Sequence, residues 1–144
     1  GWAARSRGDR VTSGAAPLER GDAAGTPFAR WSFTLAAAHE GLPIRGDVYE
    51  PADGAARATA LVVHGWKGFA RWGFFPLVAA RLAAAGVRAV AHDASGSGVG
   101  PDRETFSEPA RFEANTFSRE LDDLETVRAW AESQGWLARP YGVL

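Results

Sequence analysis

The stretch VVHGWKGFARWGFFPLVAARLAAAGVRAVAHDASGSGVG, residues 62–100, carries the strongest signal for the fold. It opens in the run 58–63, in which Leu61-Val62-Val63 has no polar interruption, as is typical of a strand covered on both faces. A helix follows, with Pro76 in its first turn and Gly86 as its C-terminal stop. Residues 87–91 predict a second strand. A strand, a helical crossover and another strand predict a right-handed βαβ unit and therefore a parallel sheet.

The residues before this stretch predict an antiparallel hairpin. Trp31, Phe33 and Leu35 alternate with smaller or polar residues, and the same alternation returns over residues 42–48. Period-two alternation is typical of half-buried strands, and the break at 39–41 predicts the turn between them.

After the stretch comes a long loop, from residue 92 to about 114. Residues 115–134 then predict a helix, and residues 141–144 the start of another buried strand. We expect one face of the helix to be apolar, through Phe117, Leu121, Leu124, Val127, Trp130 and Ala131. We expect the acidic side chains to face water, namely Glu120, Asp122, Asp123 and Glu125. The fold class is α/β, with an antiparallel entry hairpin leading into parallel strands flanked by helices.

The composition excludes several classes of protein. Hydrophobic residues make up 46% of the chain and charged residues 23%, which is typical of a globular domain. The net charge of −1 argues against nucleic-acid binding, because that function needs an excess of basic residues. No apolar run approaches the roughly 18 residues of a membrane span and no signal-peptide pattern is present, so we expect no membrane association and a cytoplasmic location. The absence of Cys excludes disulfides and cysteine nucleophiles.

The chain divides into two parts. Residues 1–29 are rich in Gly, Ala, Arg, Ser and Pro and predict a flexible leader or linker, and residues 30–144 predict a globular domain. The sequence contains no Met and ends on an apolar run, so we interpret it as an internal piece of a longer protein. We expect a sheet cut at this point to expose an apolar edge and to self-associate.

The stretch 62–100 resembles the α/β-hydrolase family. The strand followed by His64-Gly65, an aromatic-rich loop, a helix, a strand and a Gly-x-Gly loop occur in the order typical of that family. The resemblance covers residues 31–144 and is closest to bacterial dienelactone-hydrolase-like and serine-aminopeptidase-like members. It implies that residues 30–144 are a partial α/β-hydrolase domain, the N-terminal half of its sheet.

The resemblance implies roles for the loop after the third strand. The backbone N–H of Trp66 would be one donor of an oxyanion hole, which stabilises the negative charge that forms when a carbonyl is attacked. Gly65 would provide the tight turn of this oxyanion loop. His64 would be a structural histidine that braces the loop rather than the catalytic base. Gly96 and Gly98 would belong to the glycine-rich loop that shapes the rim of the substrate pocket.

The catalytic triad of the family is missing from this sequence. Its nucleophile lies in a G-x-S-x-G motif, and none of the eight serines has Gly at both the second position before and the second position after it. In the family this motif follows a strand like residues 141–144, and the acid and the histidine come later still. We therefore expect the nucleophile, acid and base beyond Leu144, and no activity in the chain itself.

The remaining charged residues allow more than one interpretation. Lys67, Arg71 and Arg103 could bind an anionic substrate, although loop charges are more often solvated, and of the three we take Lys67 as substrate-binding with Gly96 and Gly98. Asp93 at a strand end is more often a turn-capping residue than a catalytic acid. His39-Glu40 lacks the second His of a zinc helix motif, so we expect no metal.

Three functions are compatible with the sequence. The leading hypothesis is a serine-type hydrolase of carboxylic ester, lactone, thioester or amide bonds, acting on a small-molecule acyl substrate without a cofactor. The second is a catalytically inactive relative used for binding. The third is a nucleotide-binding α/β domain, which is disfavoured because the glycines at 96, 98 and 100 do not have G-x-G-x-x-G spacing.

Overall fold

The computed structural model describes residues 28–137 and 140–144. The predicted leader at 1–29 lies outside these residues except for its last two, which belong to the first strand. The elements are β1 Phe28–Ala36, β2 Pro43–Pro51, β3 Ala58–Val63, α1 Phe75–Ala84, β4 Val87–Asp93, α2 Pro109–Glu113, α3 Phe117–Ser133 and β5 Tyr141–Val143.

One mixed sheet contains all five strands of the described residues, in the order β1-β2-β4-β3-β5. β1 pairs antiparallel with β2, and β2 pairs antiparallel with β4. β3 lies between β4 and β5 and is parallel to both. The predicted α/β class, with an entry hairpin leading into parallel strands, is confirmed.

The two faces of the sheet are covered by different helices. On one face, Leu61 and Val90 pack in a core with Val127 of α3. On the other face, Val62 and Ala91 pack with residues of α1. The side chains of a strand alternate between faces, so neighbouring residues of β3 and β4 contribute to opposite cores.

The boundaries of α1 agree with the signals in the sequence. Pro76 lies in the first turn of the helix, where a missing N–H leaves no hydrogen bond unmade. Gly86 follows the helix with φ +83°, a left-handed conformation that costs glycine little and other residues more. Its carbonyl accepts a hydrogen bond from the N–H of Arg57 at 3.0 Å, which ties the helix end to the start of β3.

The predicted faces of α3 are wrong at three positions. Phe117 and Leu121 are 74% and 50% exposed, whereas Asp123, expected in water, is 1% exposed. The carboxylate of Asp123 accepts a hydrogen bond from the N–H of Ser95 at 2.7 Å. This hydrogen bond satisfies the carboxylate away from water, so Asp123 can lie in the interior. The buried stripe of the helix therefore runs through Asp123, Val127 and Ala131.

The β5 strand forms one edge of the sheet. Its residue Val143 and the following Leu144 are about three-fifths exposed, and within the described part of the chain β5 pairs with β3 alone. An exposed apolar edge can pair with a second chain. We expect the purified 144-residue chain to elute as oligomers in size-exclusion chromatography, and Val143→Lys to shift it towards the monomer. A monodisperse monomer of the unsubstituted chain would contradict this.

Among the described residues, no helix has both the length and the apolar character needed to cross a bilayer.

Candidate active site

Two loops leave the carboxyl ends of neighbouring parallel strands, where α/β sheets bind their ligands. The Trp66 loop (residues 64–74) follows β3, and the glycine loop (residues 94–108) follows β4. His64 joins them. Its Nε2 accepts a hydrogen bond from the N–H of Ala94 at 3.0 Å, so Nδ1 carries the proton and donates to the carbonyl of Gly65 at 3.0 Å. Both ring nitrogens of His64 therefore form hydrogen bonds to the backbone, one to each loop.

Trp66 lies in a tight turn. The N–H of Gly68 donates to the carbonyl of Gly65 at 2.9 Å, which makes Trp66 and Lys67 the two central residues of a β-turn. The N–H of Trp66 takes part in no hydrogen bond within residues 28–137 and 140–144. This donor is therefore available to a ligand.

Lys67 has a left-handed backbone conformation, with φ +56°. Non-glycine residues in this region are strained by about 1–3 kcal/mol, and such strain is concentrated at functional sites. The Lys67 ammonium lies 4.8 Å from the centre of the Trp66 ring and 5.9 Å from that of Phe112. Because the Trp66 side chain is 80% exposed, the strand end carries an aromatic surface with a cation over it.

The first part of the glycine loop, residues 94–100, is buried throughout. A Cβ at Gly96 would overlap the side chain of Asn115, and one at Gly98 would overlap the ring of Phe106. Gly98 also has φ +80°. The glycines at these positions therefore allow Asn115 and Phe106 to pack directly on the backbone.

Gly96 also lines a cavity of about 230 Å³ on the α3 side of the sheet, and Gly98 does not. The cavity lies between the turn after β1 and the region around α2, and its other lining residues are Glu40, Leu42, Ser95, Ala110, Arg111, Ala114 and Arg119.

A group of ionised and hydroxyl side chains lies beneath both loops. We call it the Asp47 network; its members are Ser32, Asp47, Arg71, Asp93 and Arg103. Arg71 donates to both carboxylate oxygens of Asp47, at 2.9 and 3.0 Å. Arg103 pairs with Asp47 at 2.8 Å and with Asp93 at 2.8 Å.

The expectation that Arg71 and Arg103 are solvated loop charges is wrong. The Arg103 side chain is 6% exposed and that of Arg71 is 24% exposed. Each arginine is drawn inward by a carboxylate that lies on a strand, and a buried charge needs such a partner. Lys67 alone of the three remains exposed.

The electrostatics of Asp47 follow from this arrangement. Burial by itself would raise the pKa of the carboxyl group. The hydrogen bond from Arg71, the charge of Arg103 and the hydroxyl of Ser32 outweigh burial, so the pKa of Asp47 lies below its ordinary value. Asp47 is therefore ionised at neutral pH.

Asp93 connects the two loops from below. One of its carboxylate oxygens accepts the N–H of Ala70 in the Trp66 loop at 2.6 Å. The other accepts from Nε of Arg103 in the glycine loop at 2.8 Å. The sequence favours Asp93 as a capping residue over a catalytic acid, and the contacts of Asp93 are those of a residue that anchors backbone.

His92, beside Asp93 on β4, is 2% exposed. Its Nδ1 has no hydrogen-bond partner among the described residues. Burial is the largest cause that lowers the pKa of His92 to about 3, and electrostatic interactions with His64 and Arg103 act in the same direction. Its imidazole is therefore neutral at physiological pH.

We expect this histidine to make the protein acid-sensitive. Its pKa is lower in the folded state than the 6.5 of an unperturbed histidine, so the unfolded chain takes up the proton first as the pH falls. The stabilisation is complete above about pH 6.5 and is lost progressively towards pH 3. Between pH 7 and pH 5 the free energy of unfolding should fall by about 2 kcal/mol from this residue. Urea unfolding at the two pH values measures the change.

The matched variant is His92→Phe, which keeps a ring and cannot titrate. The difference in unfolding free energy between pH 7 and pH 5 should shrink by most of this amount, while contributions from carboxylates stay the same in both proteins. An equal pH dependence in the two proteins would show that His92 is not the cause.

The described residues contain no group of three or more His, Asp or Glu side chains arranged to hold a metal ion. The structure brings Gly65, Trp66 and Lys67, the residues predicted from the sequence, into one turn at the end of β3. Ser32 and Asp47 on the entry hairpin were not predicted. The signal for Asp47 was a charge inside the alternating pattern of β2.

Comparison with solved structures finds several enzymes of similar architecture. An esterase from an Arctic intertidal metagenomic library matches with a TM-score of 0.70 and 22% identity, over 92% of this chain and 54% of that one. An acetyl xylan esterase from Paenibacillus sp. R4 matches with a TM-score of 0.61 and 20% identity, over 89% and 44% of the two chains. A Klebsiella pneumoniae protein assigned as a dienelactone hydrolase matches with a TM-score of 0.52 and 21% identity, over 80% and 49%.

The chain therefore spans about half the length of the structures it matches. No protein-family profile and no curated protein sequence matches it.

Proposed function

Because this chain has the α/β-hydrolase fold, we propose that it is part of a serine-type hydrolase of carboxylic ester, lactone, thioester or amide bonds. The reaction is acyl transfer to water. A serine, an acid and a histidine beyond Leu144 supply the nucleophile and its base, and this chain supplies one donor for the developing oxyanion. The substrate is a small molecule with an acyl group, and the residues of this chain use no cofactor.

The N–H of Trp66 is the observation that carries the proposal. It lies at the carboxyl end of β3, it is the first central amide of the turn closed by Gly65 and Gly68, and no described residue accepts from it. A backbone donor fixed in this way needs no reorganisation when negative charge develops on the carbonyl oxygen. Gly65 supplies the carbonyl that closes the turn, although its φ is not positive and a Cβ there would meet open space. His64 braces the turn through bonds to both loops.

Lys67 is proposed to contact the substrate beside this donor. Its ammonium is held over the rings of Trp66 and Phe112, at the same turn as the free amide. Gly96 and Gly98 are proposed to shape the pocket rim indirectly, because they let Asn115 and Phe106 pack against the glycine loop.

The test compares two proteins: the 144-residue chain and a chain that continues past Leu144. We expect the longer protein to hydrolyse a p-nitrophenyl ester and to be labelled by a fluorophosphonate on one serine. We expect the shorter chain to do neither above the buffer rate. Heat-labile turnover by the 144-residue chain would contradict the proposal, as would a longer protein in which no serine is labelled.

An inactive relative used for binding is the second candidate, since the fold alone does not determine chemistry. A residue other than serine in the motif after β5, together with retained binding of an ester, would favour it.

A further inference from the structure

We propose that Arg71 and Asp93 are positioning residues for the Trp66 amide, which they fix through the Asp47 network beneath the loop. The inference rests on the proposed function for its catalytic meaning. The structural part of the proposal, that this network holds the turn in place, can be tested without measuring enzyme activity.

The Trp66 loop is exposed at its tip and anchored on both sides of it. Gly65, Trp66 and Lys67 are exposed, so packing does not fix them. On one side, His64 holds the carbonyl of Gly65. On the other side, the N–H of Ala70 donates to Asp93 at 2.6 Å. The free amide therefore lies between two anchors only a few residues apart.

Arg71 makes the second anchor rigid. Its guanidinium makes two hydrogen bonds to Asp47, and Nη2 also donates to the hydroxyl of Ser32 at 3.1 Å. Ser32 in turn donates to Asp47 at 2.7 Å. Ser32 and Asp47 lie on β1 and β2, opposite one another in register. A planar guanidinium bound by two hydrogen bonds has a fixed orientation. The position of the Trp66 loop is therefore set by the paired strands β1 and β2.

Arg103 completes the arrangement. It is 5% exposed, adopts φ +63°, and bridges Asp47 to Asp93. Two carboxylates and two guanidiniums give the network zero net charge, as a buried ionic group requires. Four separate chain segments meet in this one cluster: the entry hairpin, the end of β4, the Trp66 loop and the glycine loop.

Removal of Arg71 should loosen the loop without unfolding the chain. Asp47 would keep Arg103 at 2.8 Å and the hydroxyl of Ser32, so its charge would remain paired. We therefore choose Arg71→Met, with Arg71→Lys as a variant that keeps the charge and loses the two-point hydrogen bond. Arg81→Met is the matched control, because Arg81 is an exposed arginine on the neighbouring α1.

The first measurement is amide hydrogen exchange in the full-length protein. The amides of Gly68 and Ala70, both hydrogen-bonded, should exchange about 10-fold faster or more in Arg71→Met, with a smaller increase in Arg71→Lys. Amides of β4 and the control protein should be unchanged. Unaltered exchange at Gly68 and Ala70, or an equal increase at β4, would overturn the proposal.

The second measurement is the kinetics of ester hydrolysis. A misplaced donor should lower kcat of Arg71→Met by about 10- to 100-fold with little change in KM, because substrate is still bound and only the transition state loses a contact. Arg71→Lys should recover part of the loss. A change confined to KM would overturn the positioning role. If the unsubstituted protein hydrolyses no ester, the proposed function fails, and the exchange measurement still decides whether the network positions the loop.

Discussion

Substitution of Trp66 by proline should lower kcat of ester hydrolysis by about 10²–10³-fold in the full-length protein. Proline has no backbone N–H, so the variant removes the proposed oxyanion donor. The position tolerates proline because Trp66 is the second residue of the Gly65–Gly68 turn, where its fixed φ is favoured. The rate effect can therefore be measured without breaking the loop.

The matched control is Trp66→Phe, which keeps the N–H and an aromatic side chain. It should retain kcat within a few-fold, with any change in KM reporting the loss of indole contacts. Circular dichroism and thermal unfolding of both variants check that the fold is intact. Similar kcat values for the proline and phenylalanine variants would remove the Trp66 amide from the mechanism.

The largest effect on stability is expected from Arg103→Met. This change leaves Asp93 buried with the N–H of Ala70 as its remaining partner and takes one of two guanidiniums from Asp47. Removal of one partner from a buried ion pair costs about 3–5 kcal/mol, because an uncompensated charge stays in a nonpolar environment. Urea unfolding of the purified protein at pH 7 measures the loss.

Two comparisons identify the cause of that loss. Arg128→Met also removes an arginine from two ion pairs, but its partners Glu125 and Glu132 are more than half exposed, so solvent screens the pairs and little loss of stability is expected. Addition of Asp93→Asn to Arg103→Met should restore part of the stability, since the amide oxygen can still accept from Ala70 and carries no charge. A loss at Arg103 no larger than at Arg128 would contradict this account.

The aromatic surface and the strain at Lys67 are consistent with the same turn serving as a ligand contact. Trp66 is far more exposed than a tryptophan that serves packing alone. Lys67 keeps a left-handed backbone although it is not glycine. The turn thus combines a free donor, an exposed ring and a cation within two consecutive residues, Trp66 and Lys67.

Local signals in the sequence predict the elements of the described chain except α2, which lies within the stretch 92–114 predicted as a long loop. An apolar run predicts β3, the strand after the crossover predicts β4, period-two alternation predicts the entry hairpin, and Pro76 and Gly86 mark the two ends of α1. These are local signals, because strand and helix periods are visible within one window of the chain. The same locality placed Gly65, Trp66 and Lys67 at a strand end, and the family resemblance implied the role of the Trp66 N–H as a donor.

Which charges are buried depends on tertiary contacts. Arg71 meets Asp47 across 24 positions of sequence, and Asp123 receives the N–H of Ser95 across 28. The helical period places Asp123 on the same face as Val127 and Ala131, but the partner that allows its charge to be buried lies outside the helix. Burial of a charged side chain depends on a partner that strand register and helix packing bring to it, and a single window of sequence does not contain that partner.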